Sequence, residues 1–318
     1  MTQAITRWTV TAVVGVMVTA AHMGAQDNAE TVLTRARAAL GGEARLAAIK
    51  TLSVTGRTVR QRDDATTAEH EFEMAFEAPG RFVRRSVVMA MGPTSIYRHS
   101  GFDGATPIDW IDTPPVLAGG ANVVIRMNWQ GPDGDAPSET PEQAAERSRR
   151  TLSLNQQDFA RLALGLFANA PASYPLRFTH AGTAESLEGR ADVVSATGPD
   201  GFAANLFIDQ TTHMPLMVSW QAPKPLEIVS SSGPGEMRVE RRIENGRTLD
   251  SVTPAAADAA RPLVEHRLVF ADYKTFDGGV KLPTRLQRLI DGRTVEETTF
   301  DRVRVNQRLD SRTFATGN

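Results

Sequence analysis

The segment that most constrains the fold is residues 268–306, near the end of this 318-residue chain. It contains three runs of alternating polar and apolar residues, separated by the pairs Asp277–Gly278 and Asp291–Gly292. Asp-Gly pairs supply the positive φ angles that tight hairpin turns need. On the middle run Leu286 and Ile290 recur among polar neighbours. The pattern predicts three consecutive antiparallel strands with one apolar and one polar face.

Similar alternation recurs through most of the chain. It predicts strands over residues 52–61, 69–77, 81–90, 177–184, 189–196, 202–209 and 214–221, with two short ones within 94–112. Helical spacing of apolar residues predicts a helix within 30–50 and two more between 140 and 170. Thr140 and Pro141 mark the start of the first of these two, as N-cap and first helical residue.

A sheet of roughly ten or eleven strands exceeds what a flat sheet comfortably holds, so we expect it to curl. The predicted fold class is therefore mainly β (α+β). It is a strongly curved antiparallel sheet or unclosed β-barrel, with helices covering its concave face. Residues 26–318 are expected to form one domain with insertions at about 113–150 and 222–262, where Gly, Pro and Ser are frequent.

The N-terminus has the pattern of a secretory signal peptide. Arg7 precedes an uncharged apolar run over residues 8–21, and Gly24–Ala25 offers small residues for cleavage. The alternative is an uncleaved N-terminal anchor, although the run is shorter than the roughly 20 residues of a membrane span. No later run is long enough to span. We therefore expect residues 1–25 to be removed and the remainder to lie in a bacterial periplasm.

Composition excludes several classes of function. The chain has no cysteine, which excludes disulfides, thiol catalysis, cysteine metal sites and a lipid-modified N-terminal cysteine. Its net charge is −2, and no basic stripe is present beyond Arg147, Arg149 and Arg150. Nucleic acid is therefore not an expected partner.

The sequence offers no recognisable catalytic or metal-binding motif. Its six histidines lack metal-ligand spacing, and there is no phosphate-binding glycine loop or nucleophile elbow. Asp109 and Asp112 could pair across a site or could be solvated strand-end residues. We predict a protein that is not an enzyme and has no cofactor or metal. An active site assembled from distant residues stays an alternative.

Three stretches resemble the LolA/LolB-like family of periplasmic lipoprotein carriers and outer-membrane lipoprotein-sorting proteins. They are residues 38–56, where a helix runs into a strand, residues 206–216, with an Asp-x-x-Thr turn, and residues 273–314. The resemblance covers most of the chain after the predicted signal. It implies an unclosed, curved sheet whose concave cavity binds acyl chains. This chain is longer than the compact carriers and has the two insertions.

Large apolar side chains are the candidate lining of such a cavity. The candidates are Trp110, Trp129, Phe207, Met217 and Trp220. Their alternative role is ordinary core packing. The predicted function is non-catalytic binding of a lipid or of the acyl chains of a lipidated protein. An envelope sensor or protein-interaction module of the same fold is the alternative, with another envelope protein as its partner.

Overall fold

The computed structural model describes residues 25–61, 67–91, 94–112, 140–187, 189–225, 228–233, 236–241 and 261–316. The described residues include fourteen strands. These are β1 Thr51–Gln61, β2 Thr67–Glu77, β3 Arg81–Met91, β4 Thr94–Asp103, β5 Thr106–Asp112, β6 Arg177–Ser186, β7 Gly189–Thr197, β8 Ala203–Asp209, β9 Pro215–Pro223, β10 Ile228–Gly233, β11 Glu236–Arg241, β12 Leu263–Thr275, β13 Lys281–Ile290 and β14 Arg293–Val305.

The helices are fewer. They are α1 Ala25–Ala39, α2 Glu43–Ala47 and α3 Pro141–Phe167, with short 3-10 helices at Pro199–Gly201, Asp277–Gly279 and Ser311–Phe314. The helix predicted within 30–50 is confirmed as α1 and α2. The prediction of two helices between 140 and 170 is wrong, because α3 is continuous. Its start is as predicted: the Gln143 backbone N–H donates to Thr140 Oγ1, and the Thr140 backbone N–H donates to Gln143 Oε1.

Twelve strands form one antiparallel sheet in the order β5-β4-β3-β2-β1-β14-β13-β12-β9-β8-β7-β6, and β10 and β11 form a separate hairpin. The three strands predicted over 268–306 are confirmed as β12, β13 and β14. Their second turn is the predicted tight one, with φ of 49° at Asp291 and 75° at Gly292. The terminal strands β5 and β6 pair with no further strand among the described residues, so the sheet is open.

The sheet wraps around α3. Phe159 of α3 stacks on Phe82 of β3, with 4.6 Å between ring centroids. Two residues later, the Arg161 guanidinium carbon lies 4.8 Å from the ring centroid of Trp220 on β9. Strands β3 and β9 are six spacings apart in the sheet, or about 29 Å if it were flat. One helix about 10 Å wide contacts both. The sheet is therefore strongly curved, with α3 on its concave side.

Breaks in strand register accompany this curvature. The pairing of β1 with β14 shifts between Thr55 and Gly56, and that of β6 with β7 shifts between His180 and Gly182. Such bulges bend a strand and increase its local twist. They allow a twelve-stranded sheet to curl without closing.

The main core lies between the concave face and the helices. Alternate residues of most strands of the large sheet point inward, among them Phe72, Leu206, Val218 and Leu286. The apolar faces of α1 and α3 pack on them, and these buried side chains form one continuous cluster. The covering of the concave face by helices is thus as predicted. A smaller cluster on the convex face consists of Ala75, Val83, Ile108 and Phe314.

Candidate functional site

An arginine occupies the centre of the helix–sheet interface. Arg161 of α3 has a side chain only 12% exposed, and its Nη1 lies 3.0 Å from Asp158 Oδ1. Its Nη2 donates to Gln157 Oε1 at 3.1 Å. The guanidinium also lies over two aromatic rings, 4.8 Å from the Trp220 centroid and 5.3 Å from that of Phe202. Burial lowers the pKa of Arg161, and the Asp158 carboxylate acts against this shift.

A buried histidine adjoins this arginine. The His266 ring on β12 stacks on Trp220 with 5.5 Å between centroids, and the residue is 3% exposed. Neither ring nitrogen has a partner at ordinary hydrogen-bond geometry among the described residues. Burial, followed by the charge of Arg288, lowers the pKa of His266, and the Pro223 carbonyl acts in the opposite direction. The ring is therefore neutral at pH 7, with one nitrogen carrying a proton that it can donate.

Two further arginines face the same interior. Arg288 on β13 lies opposite Leu268 in the strand register, and Leu268 packs on the main core, so Arg288 also points to the concave side. Its Nε is buried without a hydrogen-bond partner among the described residues. Arg84 on β3 approaches from the other half of the sheet, and its Nη2 lies 3.9 Å from Asp158.

We call Arg84, Asp158, Arg161, Trp220, His266 and Arg288 the interior cationic cluster. Its positive charges exceed its negative ones, because Asp158 is shared between Arg84 and Arg161. The nearby Arg60 is already paired, with its Nε 3.1 Å from Glu296. Glu296 lies opposite Arg288 in the register, yet only Arg60 forms an ion pair with it among the described residues. The arrangement can hold an anion beside apolar and aromatic side chains.

The predicted cavity residues are distributed over both faces of the sheet. Trp220 belongs to the cationic cluster and packs on the main core. Phe207 and Met217 face each other across β8 and β9. Their neighbours Leu206 and Val218 point to the concave core, so Phe207 and Met217 point to the convex face. Trp129 lies outside the described residues.

Trp110, the remaining candidate, lies on the convex face beneath the C-terminal segment. It packs on the convex cluster, and its Nε1 donates to the Ala315 carbonyl at 3.0 Å. Its ring also stacks on His99 at 3.7 Å. The structure thus separates Trp110, Phe207 and Met217 from Trp220.

The two aspartates near Trp110 do not pair with each other. Asp109 accepts a hydrogen bond from Arg98, with Nη2 to Oδ2 at 2.7 Å. Asp112 lies 3.8 Å from Arg85 Nη2. Residues 109 and 112 point to opposite faces of β5 because their separation is odd. In addition, the part of the chain that the structure describes contains no group of three or more His, Asp or Glu side chains placed to hold a metal ion.

Sequence reasoning did not select Arg161, His266 or Arg288. A signal was present on β13, where Leu282, Leu286 and Ile290 recur in one phase of the strand. Arg288 falls in that same apolar phase. A charged residue at a position that alternation assigns to the buried face is costly, and it suggests a role beyond packing.

The chain matches no protein-family model and no curated protein sequence. Among solved structures, it is similar to a domain assigned to outer membrane lipoprotein sorting from Vibrio parahaemolyticus, at 13% identity and a TM-score of 0.45, covering 91% of this chain and 97% of that one. It is similar to a LolA superfamily protein from Nitrosomonas europaea, at 10% identity and a TM-score of 0.41, covering 90% and 97%. It is also similar to a DUF1329 family protein from Desulfovibrio piger, at 10% identity and a TM-score of 0.45, covering 90% and 96%.

These similarities include the family that the sequence resemblance named. Among the described residues, no helix has both the length and the apolar character needed to cross a bilayer.

Proposed function

We propose that this protein binds the acyl chain of a lipid or lipoprotein on its concave face, between the sheet and α3, without covalent chemistry. The observation that carries the proposal is how α3 is attached. In the described residues, no backbone–backbone hydrogen bond joins α3 to a strand. Polar contacts to the sheet come from side chains such as Asn155, whose Nδ2 donates to the Gly101 carbonyl at 2.7 Å. A helix held by side chains can move away without breaking the sheet.

Replacement of α3 by a ligand on the concave face is energetically favourable only if the ligand is apolar. The buried apolar residues of α3 lie between Phe159 and Leu166 and pack on the apolar part of the concave face, beside the interior cationic cluster. Moving the helix alone would expose that surface to water at about 25 cal/mol per Å². An acyl chain that takes the place of the helix restores the burial, at about 0.8 kcal/mol per methylene. The resemblance found in the sequence implies the same class of ligand.

The proposed place of action is the periplasm. It depends on residues 1–25 acting as a cleaved signal peptide, and residues 1–24 lie outside the described residues. The remainder, residues 26–318, is proposed to act as one domain with the insertions at about 113–150 and 222–262. Mass spectrometry of the protein purified from a periplasmic extract tests both the export and the cleavage point.

The test of binding uses a fatty acid that carries a photoactivatable diazirine near the end of its chain. The purified protein is titrated with the probe, irradiated and digested, and the labelled peptides are identified by mass spectrometry. We expect saturable labelling, displaced by unlabelled fatty acid, on α3 and on inward-facing residues of β9, β12 and β13. The convex residues Phe207 and Met217 are an internal control. Absence of saturable labelling, or labelling confined to the convex face, would contradict the proposal.

A further inference from the structure

The interior cationic cluster has more positive charges than the carboxylates paired with it. Arg84 and Arg161 share one carboxylate, Asp158. Arg288 forms no ion pair among the described residues, and the carboxylate opposite it, Glu296, pairs with Arg60. Exposed arginines can leave a charge unpaired because water solvates it. The side chain of Arg161 is 12% exposed and that of Arg84 33%, and Arg288 is half-buried, so water solvates these charges only in part and leaving them unpaired is costly.

Unused hydrogen-bond donors lie in the same place. The Nε atoms of Arg84, Arg161 and Arg288 are buried without a partner among the described residues, and the ring nitrogens of His266 have no partner at ordinary hydrogen-bond geometry, although the Pro223 carbonyl acts on the ring. The residue His266 is only 3% exposed. Buried polar groups in native proteins are nearly always hydrogen-bonded, and each unpaired one costs free energy. Several unpaired donors around one excess of positive charge indicate a site for an anion.

Apolar residues continue from the cluster into the core. Leu268 lies directly opposite Arg288, and Leu286 precedes it by two residues on the same face. Trp220 lies on the other side of His266. A ligand whose charged end meets Arg288 can therefore extend its apolar part along β12 and β13. A small inorganic anion would contact the arginines but not the neighbouring apolar residues.

We infer that the interior cationic cluster binds the anionic head group of an amphiphile, a carboxylate or a phosphate, whose chain lies on the concave face. The inference rests on the proposed function and adds the charge of the ligand to it. Oxygens of the head group accept hydrogen bonds from Arg161, His266 and Arg288, and charge-assisted bonds of this kind are the strong ones. The stacking of Arg161 on Trp220 and Phe202 fixes the orientation of its guanidinium.

The test compares three ligands with the same dodecyl chain: laurate, dodecyl phosphate and uncharged monolaurin. Affinities are measured by isothermal titration calorimetry below the critical micelle concentration of each. We expect both anionic ligands to bind about tenfold or more tightly than monolaurin. The tighter of the two identifies the head group. If all three bind equally, the inference is wrong and the proposed function stands. If none binds, the proposed function itself fails.

Substitutions of Arg288 test whether the preference for anionic ligands arises at the interior cationic cluster. Arg288→Gln should remove the preference for anionic ligands and leave monolaurin affinity unchanged, whereas Arg288→Lys should retain the preference. Arg285→Gln is the matched control. It removes the same charge from the same strand, but Arg285 points to the convex side and pairs with Asp272 at 2.7 Å. Circular dichroism confirms that each variant is folded. Equal losses in Arg288→Gln and Arg285→Gln would overturn the assignment to this cluster.

Discussion

At the scale of single residues, the concave interior combines apolar packing with a few polar side chains that are costly to bury. His266 is the clearest of these, because it lies near Trp220, Arg161 and Arg288 and has no partner at ordinary hydrogen-bond geometry among the described residues, only the influence of the Pro223 carbonyl. A neutral, unpaired imidazole contributes less stability than an apolar side chain of the same size would. Such residues are found where a protein needs a specific ligand contact.

The first prediction concerns the pH dependence that His266 introduces. Burial and the charges of Arg288 and Arg161 lower its pKa, while the Pro223 carbonyl and Asp158 act against this. The unfolded chain, with a histidine pKa near 6.5, then binds the proton more readily than the folded protein. The contribution of His266 to stability is therefore full above about pH 6.5 and is lost as pH falls toward the pKa of the folded state.

Urea denaturation of the ligand-free protein at about pH 7.5 and 5.5 measures this effect. The free energy of unfolding should decrease over this interval, and it should decrease less in His266→Gln. His99, whose pKa burial also lowers, adds a separate contribution of the same sign. For that reason some decrease should persist in the variant. An unchanged decrease in His266→Gln would contradict the prediction.

At the scale of elements, α3 determines how the concave face is filled. The sequence signal for its start was strong, because Thr140 and Gln143 form a capping box. The signal for its continuity was weak, since Thr151, Ser153 and Asn155 have low helix propensity and interrupt the apolar pattern. In the structure the last two of these make tertiary contacts. Ser153 Oγ, for example, donates to Asp200 Oδ2 at 2.8 Å.

The second prediction concerns the closest approach of α3 to the sheet. Gly165 packs directly on Phe270 of β12, and a Cβ at this glycine would lie 1.9 Å from the Phe270 ring. Alanine at 165 would gain up to about 1 kcal/mol in helix propensity. Because the ring cannot move freely in the core, we expect overpacking to outweigh this gain. Gly165→Ala should be destabilised by about 1–3 kcal/mol in urea denaturation.

A double-mutant cycle provides the control. Phe270→Leu alone leaves space beside Gly165 and should also destabilise the protein. In the double variant the alanine methyl occupies part of that space. The combined loss should then be smaller than the sum of the single losses by about 1 kcal/mol. Additive losses would show that Gly165 and Phe270 do not interact as the structure indicates.

The positions of the strands could be predicted from the sequence because alternation is a local pattern. Which face of each strand lies on the concave side could not. The runs that became β12, β13 and β14 were recognised from their Asp-Gly turns and their period of two. Alternation separates the two faces of a strand but does not indicate which face the helices cover. It therefore does not distinguish Phe207 from Trp220 as cavity residues, although they point to opposite faces. The neighbouring position of β1 and β14 also depends on a contact between distant parts of the chain.

At the scale of the whole molecule, one ion-pair chain joins the two halves of the curved sheet through α3. Arg84 lies on β3, Asp158 and Arg161 lie on α3, and Arg161 contacts Trp220 on β9. Asp158 is the only carboxylate that pairs with either arginine among the described residues. Removing its charge leaves Arg84 and Arg161 without a counter-ion among the described residues.

The last prediction follows from this position of Asp158. Asp158→Asn keeps the shape of the side chain and leaves Arg161 without an ion pair, so it should destabilise the protein by about 1–3 kcal/mol. The lower end of this range applies if water already screens the pair, because the Asp158 side chain is 48% exposed. Glu146→Gln is the matched control on the same helix, because its pair with Arg149 is 70% and 72% exposed and should contribute at most about 0.5 kcal/mol. Urea denaturation of both variants makes the comparison. Asp158 also offsets positive charge in the interior cationic cluster, so the Asp158→Asn variant should bind laurate more tightly than the unchanged protein. Weaker binding would mean that the carboxylate positions Arg161 rather than balancing its charge.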